Sequence, residues 1–273
     1  MKIGIDLGGT NVRAGVVHQG NIIRKIAEPC RADESEKEVT DHIISMIWQL
    51  MTDQVESIGI GVPSVVDVEK GIVYNVANIP SWVKVPLRSI LEKEFGISVA
   101  INNDCNCLAL GEHKFGEGMN YKDIVCVAMG TGVGAGIIIN GKLYNGHNIG
   151  AGEIGCLPYL EHDYEYYCGS LFFSQKHNFT GKDAFLMAQK GDLKALQLWE
   201  QMGLHIGELI KVILFTYDPQ IIILGGSISN AYAYFSPAMY KSIQNFPYPK
   251  TIERIRITTS QKEDIALLGA SEL

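Results

Sequence analysis

Ile3-Gly4-Ile5-Asp6-Leu7-Gly8-Gly9-Thr10-Asn11-Val12-Arg13-Ala14-Gly15 decides the fold, because a second stretch, Ile124 to Gly136, repeats it at an offset of 121 residues. Without a gap, Ile3 matches Ile124, Gly9 matches Gly130 and Thr10 matches Thr131; Val12, Ala14, Gly15 and Gly20 match Val133, Ala135, Gly136 and Gly141. Each copy reads as an apolar strand, a glycine-threonine turn, a second apolar strand and a short turn into a third. The spacing predicts strands over Ile3–Leu7, Val12–His18 and Asn21–Ala27, then over Ile124–Met129, Gly134–Asn140 and Lys142–Tyr144. A constant offset in the same strand-turn-strand context is the mark of a duplicated α/β unit. Two such halves facing each other leave a cleft with a glycine-rich hairpin on each wall, a geometry suited to a ligand carrying several phosphates.

Working outward, an amphipathic helix is expected at Glu38–Met51, a strand at Ser57–Val62, a helix at Leu87–Phe95 and a strand at Ser98–Asn102. Cys105–Phe115 reads as a helix with Asn103-Asp104 at its start. Beyond the second hairpin come an irregular stretch (Gly146–Lys176), a helical region (Lys182–Tyr217) and a buried strand (Gln220–Leu224). A terminal strand (Ile255–Thr259) and a short helix (Ala266–Ser271) follow. With no low-complexity linker, the chain divides at a crossing point near Asn103–Cys105. A small domain covers 1–104 plus a returning C-terminal helix at 262–273, and a large domain covers 105–261.

The chain has 273 residues, 47% hydrophobic and 19% charged, enough apolar material for a substantial core. Its net charge of −7 argues against nucleic-acid or anionic-membrane partners, which need a basic face. It does not argue against a nucleotide, whose phosphates are held by backbone N–H groups and a divalent cation. Asp6 interrupts any signal-peptide apolar region, and no run reaches the roughly 20 residues of a membrane span. The six cysteines have no framework spacing and no CxxC, so reduced thiols in the cytoplasm are expected.

In the first hairpin, Gly8 and Gly9 let backbone N–H groups approach a phosphate, with Thr10 and Asn11 beside them. Asp6, at the end of the first strand, is placed to hold Mg²⁺ directly or through water. The bland alternative is an ordinary hairpin with a turn acid. In the second hairpin, Gly130-x-Gly132-x-x-Ala135 nominally fits the dinucleotide fingerprint, but Gly136-Ile137-Ile138-Ile139 continues as a strand, where that fingerprint needs a helix. No Walker lysine follows either. A phosphate-cradling hairpin from Gly130, Thr131, Gly132 and Gly134 is preferred. A third pair, Gly225-Gly226, ends an apolar strand where a planar base can lie against bare backbone. Asp104, at a strand-to-helix junction, is either a helix N-cap or a cleft carboxylate able to accept a sugar hydroxyl proton.

In this order, Asp6-Leu7-Gly8-Gly9-Thr10-Asn11, Gly61-Val62-Pro63, Asn78-Ile79-Pro80-Ser81-Trp82, Asn103-Asp104-Cys105-Asn106, Gly111-Glu112, Gly130–Gly136, Gly150-Ala151-Gly152-Glu153-Ile154-Gly155 and Leu224-Gly225-Gly226 resemble the ROK family of bacterial sugar kinases and repressors. The resemblance spans nearly the whole chain. It implies a two-lobed, ribonuclease H-like (actin-like ATPase) α/β fold of duplicated βββαβαβα units around an interlobe cleft. It further implies an ATP-dependent hexose kinase in which Asp104 is the general base and Asn78, Asn103 and Glu153 bind the sugar. By the same resemblance Asp6 and the two hairpins hold Mg-ATP, Gly225-Gly226 lies against adenine, and the chain forms homodimers.

The family usually has a zinc-binding His after Glu-Ile-Gly and a later C-x-C-G-x-x-G-C-x-E segment. Here those positions are Cys156 and Tyr166-Tyr167-Cys168-Gly169-Ser170-Leu171-Phe172-Phe173-Ser174-Gln175, with Gln175 where a sugar-binding Glu stands. Structural zinc is therefore not expected. Cys156, Cys168 and His147 or His162 offer only an improvised donor set, and packing by Tyr164, Tyr166, Tyr167, Phe172 and Phe173 is expected in its place. The altered wall, with Ser64 where the family often has Gly, leaves the sugar open. Glucose leads, with N-acetylmannosamine, fructose, mannose and allose as alternatives. The other readings are a sugar-binding regulatory protein with weak or no catalysis, a DNA-binding repressor, and a kinase for a non-sugar substrate such as a short-chain acid.

Overall fold

The computed structural model describes residues 1–177 and 179–273. The first sheet opens with β1 (Lys2–Leu7), β2 (Asn11–His18) and β3 (Asn21–Pro29) as an antiparallel meander. Helix α1 (Glu36–Leu50) leads to β4 (Ser57–Val62). Ser35 and Glu38 form a reciprocal cap at the start of α1, and Val39, Ile43, Met46, Ile47 and Leu50 bury one stripe of it. Next come three short strands, β5 (Val65–Asp67), β6 (Ile72–Tyr74) and β7 (Lys84–Val85), in a separate meander that the sequence reading did not include. Helix α2 (Leu87–Phe95) then leads to β8 (Ser98–Asn103), giving the order β3-β2-β1-β4-β8 with β1, β4 and β8 parallel.

Helix α3 (Asp104–Phe115) carries the chain into the second sheet, which starts with β9 (Ile124–Met129), β10 (Val133–Ile139) and β11 (Lys142–Leu143). The stretch expected to be irregular is in fact structured. A 3-10 turn at Ile154–Cys156 precedes a hairpin of β12 (Pro158–Tyr159) and β13 (His162–Asp163), and then α4 (Tyr164–Cys168) and α5 (Leu171–His177). The single helical region expected at Lys182–Tyr217 is two helices, α6 (Gly181–Gln189) and α7 (Leu193–Thr216). Gly191 at φ +78° breaks the chain, and Asp192 caps α7 by accepting from the Ala195 N–H. After β14 (Ile221–Gly225) come two helices the sequence reading missed, α8 (Tyr232–Ile243) and α9 (Pro249–Arg254); Pro237 inside α8 obscures its pattern. Strand β15 (Arg256–Thr259) and α10 (Ile265–Ala270) complete the chain. The order β11-β10-β9-β14-β15 reproduces that of the first sheet, with β9, β14 and β15 parallel, so the duplicated two-lobed α/β fold is as expected.

The repeat needs one correction. Leu7 pairs with Val12, whereas Met129 pairs with Val133, so the first turn is one residue longer than the second. The offset therefore holds after the turn but not before it, and Ile3 corresponds to Val125 instead of Ile124.

Helices α3 and α10 form the layer between the two sheets. The approach is close enough that a Cβ on Gly59 of β4 would run into the Ala270 carbonyl of α10, and one on Gly136 of β10 into the Cys105 carbonyl of α3. Leu108, Ala109, Ile265, Leu267 and Leu268 of these helices are buried together with Ile124, Cys126, Ile221 and Ile223 of the second sheet. Separate cores lie on the outer faces, under α1 and α2 on one side and under α4 to α8 on the other. The parallel strand β14 is buried along its whole length, as its unbroken Ile221-Ile222-Ile223-Leu224 run requires. Among the described residues, no helix is long and apolar enough to cross a membrane.

Candidate active site

At the junction of β8 and α3 the residue capping the helix is Asn103. Its Oδ1 accepts from the N–H groups of Cys105 (2.8 Å) and Asn106 (3.4 Å), while its Nδ2 donates to the Ser64 carbonyl at 3.2 Å. Asp104 is the first residue of the helix proper, and the N-cap alternative for it does not apply. The Asp104 Oδ1 accepts from the Cys105 N–H at 2.9 Å. Burial, reinforced by the charges of Asp6 and more weakly of Glu153, pushes the Asp104 carboxyl up to about 6, against the opposing pull of the Cys105 hydrogen bond. Asp6, Asp104 and Glu153, far apart in sequence, therefore share one electrostatic neighbourhood.

Asp6 lies at the end of β1, where burial raises its carboxyl, Arg13 partly offsets the effect, and Asp264 at the head of α10 adds to it. The Arg13 guanidinium reaches the Asp6 Oδ2 at 3.5 Å. The adjoining turn is closed by Gly8 N–H donating to the Asn11 carbonyl at 3.0 Å, which leaves Thr10 and Asn11 exposed at its tip. Asn78, in the loop between β6 and β7, lies flat against this turn: a Cβ on Gly9 would sit 2.7 Å from the Asn78 Nδ2. Two residues distant in the sequence are thus brought together on one wall.

The second turn is closed by Gly130 N–H donating to the Gly132 carbonyl at 2.9 Å, with Thr131 exposed at its tip. The far side of its strand rests on α3, since a Cβ on Gly134 would come within 2.8 Å of the Cys105 Sγ. Gly225 ends β14 in the core, and Gly226 follows at φ +81°, so tight against β9 that a Cβ would strike the Met129 carbonyl. The same contact brings Ser227 beside Gly130, whose added Cβ would be 3.7 Å from the Ser227 Oγ. Directly beyond lies a cavity of about 670 Å³ lined by Thr180, Lys182, Phe185, Trp199, Ser227 and Ile228.

Glu153 stands just before the 3-10 turn. Its segment is pinned to β10 by the Ala135 N–H donating to the Gly152 carbonyl at 2.8 Å. Burial, then the nearby charge of Glu165, raises its carboxyl. Gln175 stands exposed on α5, apart, among the described residues, from the hydrogen bonds and electrostatic couplings that join the rest.

Sequence reasoning missed two features. One is a chain of amides in which Asn102 Nδ2 donates to Asn145 Oδ1 at 2.9 Å, and Asn106 Nδ2 donates to Asn102 Oδ1 at 2.9 Å and to Asn145 Oδ1 at 3.5 Å. Asn102 and Asn106 are only 2% and 5% exposed. Their four-residue spacing across a helix start was legible, but the partner 43 residues away was not. The other is Glu165, whose Oε2 accepts from the Val133 N–H at 3.0 Å.

The donors present do not fit a structural zinc. Cys168 is fully buried in the apolar core around Tyr164, Tyr167, Phe172 and Phe173, and burial holds its thiol far above the usual range. Cys156 is exposed, and His162 is stacked on the Tyr166 ring at 4.0 Å. Among the described residues no three His, Cys, Asp or Glu side chains group as a metal site.

The chain is 29% identical to the glucokinase of Thermotoga maritima, over 99% of this chain and 96% of that one. The xylose repressor of Bacillus subtilis is 27% identical over 90% of this chain and 69% of the repressor. The crystal structure of a ROK family glucokinase from Streptomyces griseus, in complex with glucose and AMPPNP, superposes with a TM-score of 0.85 at 25% identity, covering 99% of this chain and 98% of that one. The profile of the ROK family matches residues 2–273, and the chain belongs to that family.

Proposed function

We propose that the protein is an ATP-dependent hexose kinase with Asp104 as its general base. Kinase relatives over almost the full chain support sugar phosphorylation. The observation that carries the assignment of the base is the Asp104 carboxyl itself. Raised to about 6 by burial and by Asp6, it is largely ionised at neutral pH and still basic enough to take a proton from an alcohol.

In this reading the lobes are residues 1–104 with 262–273, and residues 105–261. Asn78, Asn103 and Glu153 hold the ring hydroxyls. Asn103 keeps one amide N–H for this purpose, because its cap uses the oxygen and the Ser64 bond uses only one of its two donors. The sugar's primary hydroxyl gives its proton to the Asp104 carboxylate as its oxygen bonds to the γ-phosphorus. The bond from that phosphorus to the β–γ bridging oxygen breaks, and ADP leaves. N–H groups of Gly9 to Asn11 and of Thr131 and Gly132 offset charge on the phosphates, and the adenine occupies the cavity beside Gly225-Gly226. Asp6, raised by burial and met by Arg13 only at 3.5 Å, fits a magnesium ion; that ion supplies charge neutralisation on the phosphates when bound. Glucose is the leading substrate, the cytoplasm the proposed compartment and a homodimer the proposed assembly.

The xylose repressor relative favours a second reading, sugar binding without transfer. A coupled assay of ADP release across glucose, N-acetylmannosamine, fructose, mannose and allose separates the two. Turnover with one hexose well above the ATPase background supports the kinase; hexose binding with no turnover on any supports the second reading.

A further inference from the structure

The chain at Gly146 loops outward and comes back to itself at Ala151, since a Cβ on Gly146 would lie 2.8 Å from the Ala151 Cβ. Both feet of this loop stand at the candidate site. Before it, the Asn145 Oδ1 accepts from the amides of Asn102 at 2.9 Å and Asn106 at 3.5 Å, the two residues that bracket Asn103 and Asp104. After it, the Gly152 carbonyl accepts from the Ala135 N–H at 2.8 Å, and Glu153 comes next. Between the feet, residues 146 to 150 are all exposed, and among the described residues His147, Asn148 and Ile149 make no hydrogen bond. Ile149 lies at φ +58°, in the left-handed region that a β-branched residue enters only at a cost. The feet of the loop hold it there, and its side chain gains little in return, for Ile149 is 40% exposed.

We propose that residues 146–150 form a lid that closes over the bound hexose, with Ile149 packing its side chain on the sugar's C–H groups. The inference rests on the kinase reading above and adds a moving part to it. A strained, exposed apolar residue on a segment without hydrogen bonds of its own is an arrangement with a missing partner. A hexose supplies one, because its ring carries C–H groups as well as hydroxyls, and Asn78, Asn103 and Glu153 can serve only the hydroxyls. Closure buries Ile149, which offsets the cost of its backbone, and keeps water from the space between the hydroxyl and the γ-phosphate. The fixed feet at Asn145 and Gly152 confine the movement to the five exposed residues between them.

The test begins with the unaltered protein. Calorimetric titration finds which of glucose, N-acetylmannosamine, fructose, mannose and allose binds most tightly, and hydrogen exchange at the amides of residues 147–150 is followed with and without that hexose at saturation. Exchange there is expected to slow by at least about tenfold on hexose binding. I149A and I149G are then titrated with the same hexose and with Mg-ADP. Both are expected to bind the hexose about tenfold more weakly, with Mg-ADP affinity within about twofold of wild type. Glycine accepts the left-handed backbone without strain, so a loss shared by both variants reports the missing side chain. Unchanged exchange in the hexose-saturated wild type overturns the lid, and no variant is needed to show it. So does an I149G that binds the hexose as tightly as wild type, or an equal loss of hexose and Mg-ADP affinity in both variants. A wild type that binds none of the five hexoses sinks the kinase reading, and the lid with it.

Discussion

The Asn102 amide, at the end of β8, donates to the Asn145 Oδ1 at 2.9 Å, and so ties the strand that delivers Asp104 to the loop that leads toward Glu153. Asn106 donates to the same oxygen at 3.5 Å from the first turn of α3. A single acceptor on Asn145 thus serves two nearly buried amides. Its removal leaves donors in the interior without water to replace it. Asn145→Ala is expected to cost about 1–3 kcal/mol in denaturant unfolding. It is also expected to raise KM for sugar more than it lowers kcat, because the segments proposed to bind sugar, around Asn103 and Glu153, lose their tie. A stability change below about 0.5 kcal/mol would show that the chain of amides is not coupled to the fold.

Asp104 is also a source of instability. Its folded-state value, about 6, lies above the ordinary 3.8, so folding disfavours the ionised form. The stability available while the group is protonated is lost as pH rises through that window, and the protein at pH 7 carries the full cost. Asp104→Asn removes the charge and keeps the shape. The variant is expected to be more stable than wild type at pH 7 by about 3 kcal/mol, with the gap closing toward pH 4. Chemical denaturation at the two pH values reads this directly. A variant less stable at pH 7 would mean that the carboxylate makes favourable contacts the structure does not hold.

The same shift sets the pH dependence of activity. Protonated Asp104 cannot accept a proton, so kcat/KM for sugar is expected to fall on the acid side with a midpoint near 6. Asp6 contributes to that elevation after burial, so Asp6→Asn is expected to move the midpoint to lower pH, whatever it does to the Mg-ATP requirement. An acid limb that stays in place in Asp6→Asn would assign it to another group.

Chelation tests the aromatic support of α4. Dialysis against a strong zinc chelator is expected to leave Tm unchanged within about 1 °C, and elemental analysis to find well under one zinc per chain. Tyr159→Ala, which removes a stacked ring at 4.3 Å and the bond to His205, is expected to lower stability by about 3 kcal/mol. One tightly held zinc per chain, lost together with stability on chelation, would reverse this account of the segment.

Much of the fold was written locally. Identities after each turn, the Ile221–Leu224 run and the Asn103-Asp104 junction each follow from period and turn chemistry, and each lies where expected. The one-residue difference between the hairpins was not legible, because a glycine-rich turn absorbs a residue without altering the strand pattern on either side. The stretch around β12, β13 and α4 was hidden for a different reason. Its elements are two to five residues long and owe their shape to packing on α7, which no local period encodes. The break at Gly191-Asp192 was legible and was passed over in a long apolar pattern. In the site, the charges of Asp6 and Glu153 act on Asp104. Glu165 and Asn145 escaped because their partners are a backbone N–H and an amide brought near only by the fold.

The central claim is that the Asp104 carboxylate takes the proton of the phosphorylated hydroxyl, and the most direct measurement is kcat for Asp104→Asn on the preferred hexose, taken with that variant's affinities for sugar and Mg-ADP. The account predicts kcat lower by at least about 10²-fold with both affinities within a few-fold of wild type. Turnover close to wild type in a variant that binds both ligands normally would contradict it.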